Sequence, residues 1–374
     1  MSRTIFAISL VVVATASGLT GYFLAGVLTP AQQSTTLNGA GATFPFPLFS
    51  AMAANYTGTH PNTRINYQSI GSGGGIRALT DKTVDFAASD APLNGAQRTA
   101  APNTLHIPAT IGSVVFAYNL VQPDGTTTIP KGLNLTGPIL AGIYLGIITK
   151  WNNATIQGIN PGVQLPDQTI IAVHRSDGSG TTFVWTSYLS VVSSTWNTTV
   201  GKGTAVSWPA TPQGLGAAGN EGVAGVIRGT RYTAGYVELA YVLQNNMAYA
   251  YIQNQAGSYI APSLASTQAA LNDASATLPS GDQSWSSVEL LDSTDPVAYP
   301  IASFSYILVY RELNVVPNMT QEKAKALVDY LWFVVHQGQT VAPNLQYVPL
   351  PSSVVTINEN TIRSITFNGQ TLLS

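Results

Sequence analysis

Apolar and polar positions change period several times along this chain, and each change marks an element. Beyond residue 36, LNGAGATFPFPLFSAMAANY reads as a strand end, a glycine turn and a helix beginning near Pro45–Pro47 that buries Leu48, Phe49 and Met52. RINYQSI alternates as a strand does and runs into IGSGGG at 70–75. IRALTDKTV then returns as a helix to VDFAASDAPL, a short strand ending at Ser89-Asp90. The stretch 104–120 predicts a pair of apolar strands, and LTGPILAGIYLGIITKWNN a helix or helix pair whose Gly and Tyr suit a core better than a membrane. TIIAVHRSDGSGTTFVWTSYLSVV repeats strand, loop and helix, and GVAGVIRGTRYTAGYVELAYVLQNN adds a helix-to-strand unit. Residues 258–287 are polar and alanine-rich, read as mixed helix and loop. IASFSYILVYR is a strong strand, and QEKAKALVDYLWFVVHQGQTVA is the clearest amphipathic helix. Strand–loop–helix in repetition predicts an α/β fold with a mostly parallel sheet and loops gathered at its carboxyl edge.

Length and composition sharpen that picture. A chain of 374 residues is long for one core and points to two lobes. Only 9% of residues are charged, 15 basic against 17 acidic, whereas roughly 25% is usual. There is no polybasic field to hold a phosphate backbone, so nucleic acid is a poor partner. The absence of cysteine removes disulfides, thiolate metal sites, a thiol nucleophile and a lipid-bearing cysteine. Four histidines (His60, His106, His174 and His336) show no metal-binding spacing, so neither metal nor cofactor is expected.

Ile5 to Leu28 is 24 residues without a charge, preceded by Arg3. It is long enough to span a bilayer, and residues 1–28 are read as an anchor followed by a tether over 29–36. A cleaved signal peptide, with Ala14-Thr15-Ala16 as a small-x-small site, is the competing reading. Either one exports the body of the chain. Sequons at Asn55, Asn134, Asn153, Asn197 and Asn318 are compatible with glycosylation on an outer surface, although a chain this rich in Asn and Thr produces several by chance.

The chemistry concentrates in two glycine-serine runs, IGSGGG and HRSDGSGTTF at 174–183, each leading from an apolar stretch into a helix. A helix start presents unpaired N–H groups and partial positive charge, and so suits an anion. Ser72 opens a run of three glycines that either brings the backbone close to something or forms a plain surface turn. The G-K-[ST] ending of a nucleotide loop is missing. Thr43 and Phe44, in the glycine turn before the first helix, either contact an anion or simply cap that helix and fill the core. Asp90 either caps the turn before Ala91-Pro92 or faces a ligand that brings its own proton, as HPO₄²⁻ does and sulfate does not. Arg175, Asp177, Ser179, Gly180 and Thr181 are the densest cluster: a guanidinium fork, a carboxylate to orient it, and hydroxyls with N–H groups at a helix start. A hydrolase would need Ser72 or Ser179 as nucleophile, but neither lies in G-x-S-x-G, and His174 alternates away from Arg175.

Six of these segments in order resemble the phosphate receptors of high-affinity ABC phosphate importers: LNGAGATFPFPLF, NYQSIGSGGG, VDFAASDAPL, IYLGIITKWNN, HRSDGSGTTFVWTSYLS and GYVELAYVLQNN, with PLPSSVV near the end. The resemblance implies a two-lobed periplasmic-binding-protein-like fold, each lobe a mostly parallel sheet flanked by helices, joined by a two-strand hinge. It implies lobe I over 37–119 and 300–374, and lobe II over 120–299. It places phosphate contacts on Thr43, Phe44, Ser72, Asp90, Arg175, Ser179, Gly180 and Thr181, with Asp177 orienting the arginine. It further implies a monomeric receptor, not an enzyme, that passes inorganic phosphate to ABC permease subunits. Another tetrahedral oxyanion (sulfate, molybdate or arsenate) and a secreted phosphatase are the alternatives. The chain departs from common members in lacking both a lipid cysteine and an obvious cleavage site, which favours tethering to the outer face of a single membrane, as in archaea.

Overall fold

The structure, a computed structural model, describes residues 34–210, 214–272 and 278–373. The anchor and most of the tether therefore lie outside the described residues. In the first part, β1 (Thr35–Gly41), α1 (Phe46–Thr59), β2 (Thr63–Ser69), α2 (Gly71–Thr80), β3 (Phe86–Ser89) and α3 (Gly95–Ala100) lead to the long strand β4 (Thr104–Tyr118). Next come β5 (Asn134–Leu135), α4 (Gly137–Tyr144), α5 (Ala154–Gly158), β6 (Ile171–Arg175), α6 (Gly180–Val192) and α7 (Ser194–Thr199). They are followed by β7 (Leu215–Ala217), α8 (Gly219–Gly229), β8 (Thr233–Glu238) and α9 (Leu239–Gln244). Short pieces then intervene: β9 (Ala248–Tyr249), β10 (Tyr251–Gln253), β11 (Tyr259–Ile260), α10 (Leu264–Ala269) and β12 (Leu290–Leu291). The chain closes with β13 (Ile301–Tyr310), α11 (Gln321–Val335), α12 (Ser352–Arg363) and the hairpin β14 (Thr366–Phe367) to β15 (Gln370–Thr371).

The main sheet has the order β2-β1-β3-β13-β4-β8-β6-β7. Its two flanks are parallel, as β1 pairs with β2 and β3, and β6 with β7 and β8. Its centre is antiparallel: β13 lies between β3 and β4, and β4 also pairs with β8. The parallel flanks match the strand–loop–helix pattern; the antiparallel centre comes from the two long strands β4 and β13, which run against each other and against β8 and β3. No helix among the described residues is long and apolar enough to cross a membrane.

One expectation fails here. The stretch 104–120 is a single strand, β4, buried along its whole length, and not a pair. Pro108 interrupts the apolar pattern, but a register shift opposite Ser305 and Tyr306 makes a bulge that absorbs it without a turn. β4 therefore pairs with β13 over Thr104–Ser113 and with β8 over Val114–Tyr118, stitching the two flanks together.

The helices begin where their sequences provide for it. α1 carries proline in its first turn, and Ser179 caps α6 by accepting from the Thr182 N–H at 3.0 Å. α4 is nearly all buried, as its apolar sequence requires of a core helix. Under the second flank an aromatic stack forms: Trp185 lies face-on to Phe116 at 5.9 Å and to Tyr236 at 5.3 Å, between centroids. Its indole N–H has no partner among the described residues. Trp185→Ala is expected to destabilise the protein by about 3–5 kcal/mol in urea unfolding. Trp185→Phe, which keeps the stack and removes an unpaired donor, should lose much less; equal losses would show that the stack contributes nothing.

Candidate functional site

The carboxyl ends of β1, β3 and β6 and the starts of α1, α2, α6 and α8 meet at one point. Arg175 is the last residue of β6 and is almost wholly buried. Its Nε donates to Asp177 Oδ1 at 2.7 Å, and a second guanidinium nitrogen grips Asp177 Oδ2, forming a two-pronged ion pair. The remaining nitrogen reaches Thr43 Oγ1 at 3.1 Å and Thr181 Oγ1 at 3.4 Å. Asp177 in turn accepts from the Gly219 N–H at 3.1 Å, at the first residue of α8. Partial burial works to raise the Asp177 carboxyl, but Arg175 and the Gly219 N–H outweigh it and hold it below its ordinary range.

Opposite this pair lies a second carboxylate. Asp90, just past β3, is buried; its Oδ1 accepts from Ser305 Oγ at 2.7 Å and its backbone N–H donates to Ser72 Oγ at 3.2 Å. Burial pushes Asp90 up to about 7, against the opposing pull of Ser305 and Arg175. Gly180, first in α6, faces both: a methyl group there would collide with Asp90 and Ser72 side-chain oxygens. The two glycine-serine runs also touch directly, since the Gly73 N–H donates to the Gly178 carbonyl at 2.8 Å. A methyl on Gly73 would strike Gly178, so this close approach requires glycine on both sides.

The structure brings together all nine residues singled out from the two runs and their neighbours. Ser179 differs in detail: its hydroxyl is used in capping α6, and its N–H donates to the Thr204 carbonyl at 2.8 Å. Phe44 takes part through its backbone, with its ring in the core 6.3 Å from that of Tyr347. His174 turns away, stacked on Trp208 at 4.8 Å, so no imidazole serves Ser179 as a base. The sequons do not gather. Asn55, Asn197 and Asn318 are exposed, whereas Asn134 is half-buried against Asn160 and the Asn153 side-chain carbonyl caps α5.

Sequence reasoning missed several members. Asn220, in the first turn of α8 and fully buried, donates from Nδ2 to Thr43 Oγ1 at 2.9 Å and to Thr181 Oγ1 at 3.1 Å. Tyr241 donates to the Thr43 carbonyl at 2.6 Å, and Tyr347 to the Phe44 carbonyl at 2.7 Å. The Gly219-Asn220 pair ahead of an amphipathic helix was a third run of the same kind as the other two, and the one available signal.

These parallel flanks, crossed by two central strands with polar loops facing one another over the join, define a solute-binding protein of the two-lobed, periplasmic-binding-protein type. A model of the PBP superfamily domain matches residues 27–332. The phosphate-binding protein PstS of Xylella fastidiosa is 43% identical over 330 residues, covering 86% of this chain and 84% of that one. The PstS of the archaeon Methanocaldococcus jannaschii is 35% identical over 338 residues, covering 87% and 85%. The chain belongs to the PstS family of phosphate-binding proteins. Solved structures share the fold: a phosphate-binding protein from Stenotrophomonas maltophilia aligns with TM-score 0.66 at 18% identity, covering 87% of this chain and 94% of that one. A periplasmic phosphate-binding protein, PfluDING, solved with phosphate bound, aligns at 0.62 and 19% identity, covering 90% and 100%.

Asp90 generates a pH dependence. Its folded carboxyl titrates near 7 against an ordinary 3.8, so between those values the folded state holds a proton that the unfolded chain has released. Its contribution to stability is complete below the lower value and is lost as pH rises through the upper one. In the ligand-free protein, the fall in melting temperature from pH 5 to pH 8 should be smaller in Asp90→Asn than in the wild type. An equal fall in both would show that Asp90 is not the group responsible.

Proposed function

We propose that this chain is the extracellular receptor of an ABC phosphate importer, capturing inorganic phosphate between two lobes and delivering it to the permease. The observation that carries the reading is the convergence of helix starts on buried Arg175, opposite a carboxylate, Asp90, that is readily protonated or readily faced by a protonated ligand. N–H groups at Phe44, Ser72, Gly180 and Thr181 and the hydroxyls of Thr43, Ser72, Ser179 and Thr181 would supply the donors, and Arg175 the charge. Asp177 holds the guanidinium in place. Asp90 would accept a proton from HPO₄²⁻ or H₂PO₄⁻; fully ionised sulfate has none to offer and meets an unmatched buried acceptor. Arsenate brings the same protons and is expected to compete.

In this reading lobe I is 37–119 with 300–374, lobe II is 120–299, and β4 with β13 carries the hinge. Support comes from β4, one half of which pairs with β13 and the other with β8. The bonds from Arg175, Asn220 and Tyr241 to Thr43, and from Gly73 to Gly178, then correspond to a closed cleft. We also place the protein on the outer face of the cytoplasmic membrane, acting as a monomer and held by residues 1–28. A hydrolytic reading finds no support at Ser179, because His174, the nearest histidine in sequence, is stacked on Trp208 rather than beside the hydroxyl.

Titration calorimetry tests the reading. Phosphate should bind at least a hundredfold more tightly than sulfate. Arg175→Ala, which removes the buried charge, should weaken phosphate at least a hundredfold, about 2.7 kcal/mol or more. Asp90→Asn should lose much less phosphate affinity while narrowing the gap to sulfate. Equal affinity for the two anions, or no phosphate heat, would overturn the assignment.

A further inference from the structure

Glu238, the last residue of β8, is a fully buried carboxyl group that the capture mechanism leaves unused. Its Oε2 accepts from the Ala240 N–H at 2.8 Å and lies 2.9 Å from Tyr347 Oη, while its Oε1 has no partner among the described residues. Tyr347 Oη stands at the same time 2.7 Å from the Phe44 carbonyl. A phenol has one proton to donate, and neither the Phe44 carbonyl nor an ionised carboxylate can donate to it. With Glu238 ionised, one of the two contacts would be an acceptor facing an acceptor. With a proton on Oε2, both become hydrogen bonds: Glu238 donates to Tyr347, and Tyr347 donates to Phe44.

The surroundings agree. The bond from a phenol to a carboxylate is charge-assisted and runs to roughly 2.5–2.7 Å, yet here the longer of the two contacts is the one to the carboxyl. The charged group that Glu238 feels most is another carboxylate, Asp90, rather than a cation, and burial together with Asp90 moves its titration well upward. The helix that Glu238 caps, α9, is only six residues long and has little dipole to stabilise an anion. The Tyr347 hydroxyl and the Ala240 and Tyr241 N–H groups pull the other way and burial outweighs them; the two phenols, Tyr347 and Tyr241, are themselves held neutral by burial.

The chain of bonds ends on the anion turn. The Phe44–Pro45 peptide has no N–H, so its carbonyl is its only hydrogen-bonding group, and Tyr347 takes it. The Thr43 carbonyl is held by Tyr241, and because that peptide is trans its N–H, that of Phe44, points the opposite way. The Glu238 backbone N–H also donates to Asn220 Oδ1 at 3.0 Å, which turns the Asn220 amide nitrogen toward Thr43 and Thr181. We propose that Glu238 is a positioning residue for anion capture: it carries a proton that it donates to Tyr347, and this chain fixes the Thr43–Phe44 turn so that the Phe44 N–H faces the ligand. The proposal rests on the receptor reading for its purpose, but not for its proton.

Infrared difference spectra of the ligand-free protein at pH 7.5, wild type minus Glu238→Gln, judge the proton by itself. A carboxylic-acid C=O band lost in the variant, and shifted by Tyr347→Phe, supports the proposal; loss of carboxylate bands alone overturns it. Positioning is then read by calorimetry with inorganic phosphate. Tyr347→Phe should weaken binding about tenfold, the worth of one buried carbonyl left unpaired, and an unchanged affinity would overturn the positioning role. Should Tyr347→Phe fail to fold, Glu238→Gln carries both measurements. Its amide presents either an oxygen or a nitrogen at Oε2, never an atom that both accepts from Ala240 and donates to Tyr347, so its affinity should also fall. Failure of the wild type to bind phosphate would sink the receptor reading, whereas the infrared bands would still decide whether Glu238 holds a proton.

Discussion

Everything at this site depends on keeping one guanidinium out of water. Removing a charge of that kind from solvent is worth several kcal/mol against folding unless each donor is matched. Arg175 meets the condition through Asp177 on one edge and two threonine hydroxyls on the other. Those partners sit on different elements. Asp177 is tied to the start of α8 through Gly219, Thr181 lies in the first turn of α6, and Thr43 precedes α1. Satisfying the arginine therefore assembles the cleft, and a displaced partner would leave a buried donor unmatched.

The pairing of Arg175 with Asp177 also cancels most of the site's formal charge. What remains for an anion is directional: N–H groups at helix starts, hydroxyls, and the guanidinium nitrogen that here rests on Thr43 and Thr181. This suits a chain with only 9% charged residues, where the binding field is local rather than a property of the whole surface. It also lets a carboxyl group such as Asp90 sit within the site. A net positive cleft would keep Asp90 ionised, whereas burial in a nearly neutral one raises it to about 7.

Much of this was legible in the sequence because the signals were local. Gly178 and Ser179 before TTFVWTSYL, and Gly71 to Gly75 before IRALT, announce helix starts through cap and glycine chemistry, and both helices begin there. Arg175 and Asp177 are two residues apart, so their pairing needed little more than the loop between them. The length of β4 was not legible. Pro108 looks like a break in one dimension, and only the partner strand β13, about two hundred residues away in sequence, shows that a bulge accommodates it.

Composition and short-range pattern by themselves determined the α/β class and the two glycine-serine loops that open helices, because each follows from backbone chemistry within a few positions. The tertiary structure alone decided which distant groups complete the site. Asn220, Tyr241 and Tyr347 reach Thr43 and Phe44 across 177, 198 and 303 positions of chain. A buried hydroxyl or amide finds its partner by where packing leaves it, and no local pattern records that. Whether Asp90 and Glu238 are ordinary surface carboxylates or buried groups whose titration is pushed upward was likewise undecidable until burial was known, since desolvation acts through surroundings rather than sequence neighbours.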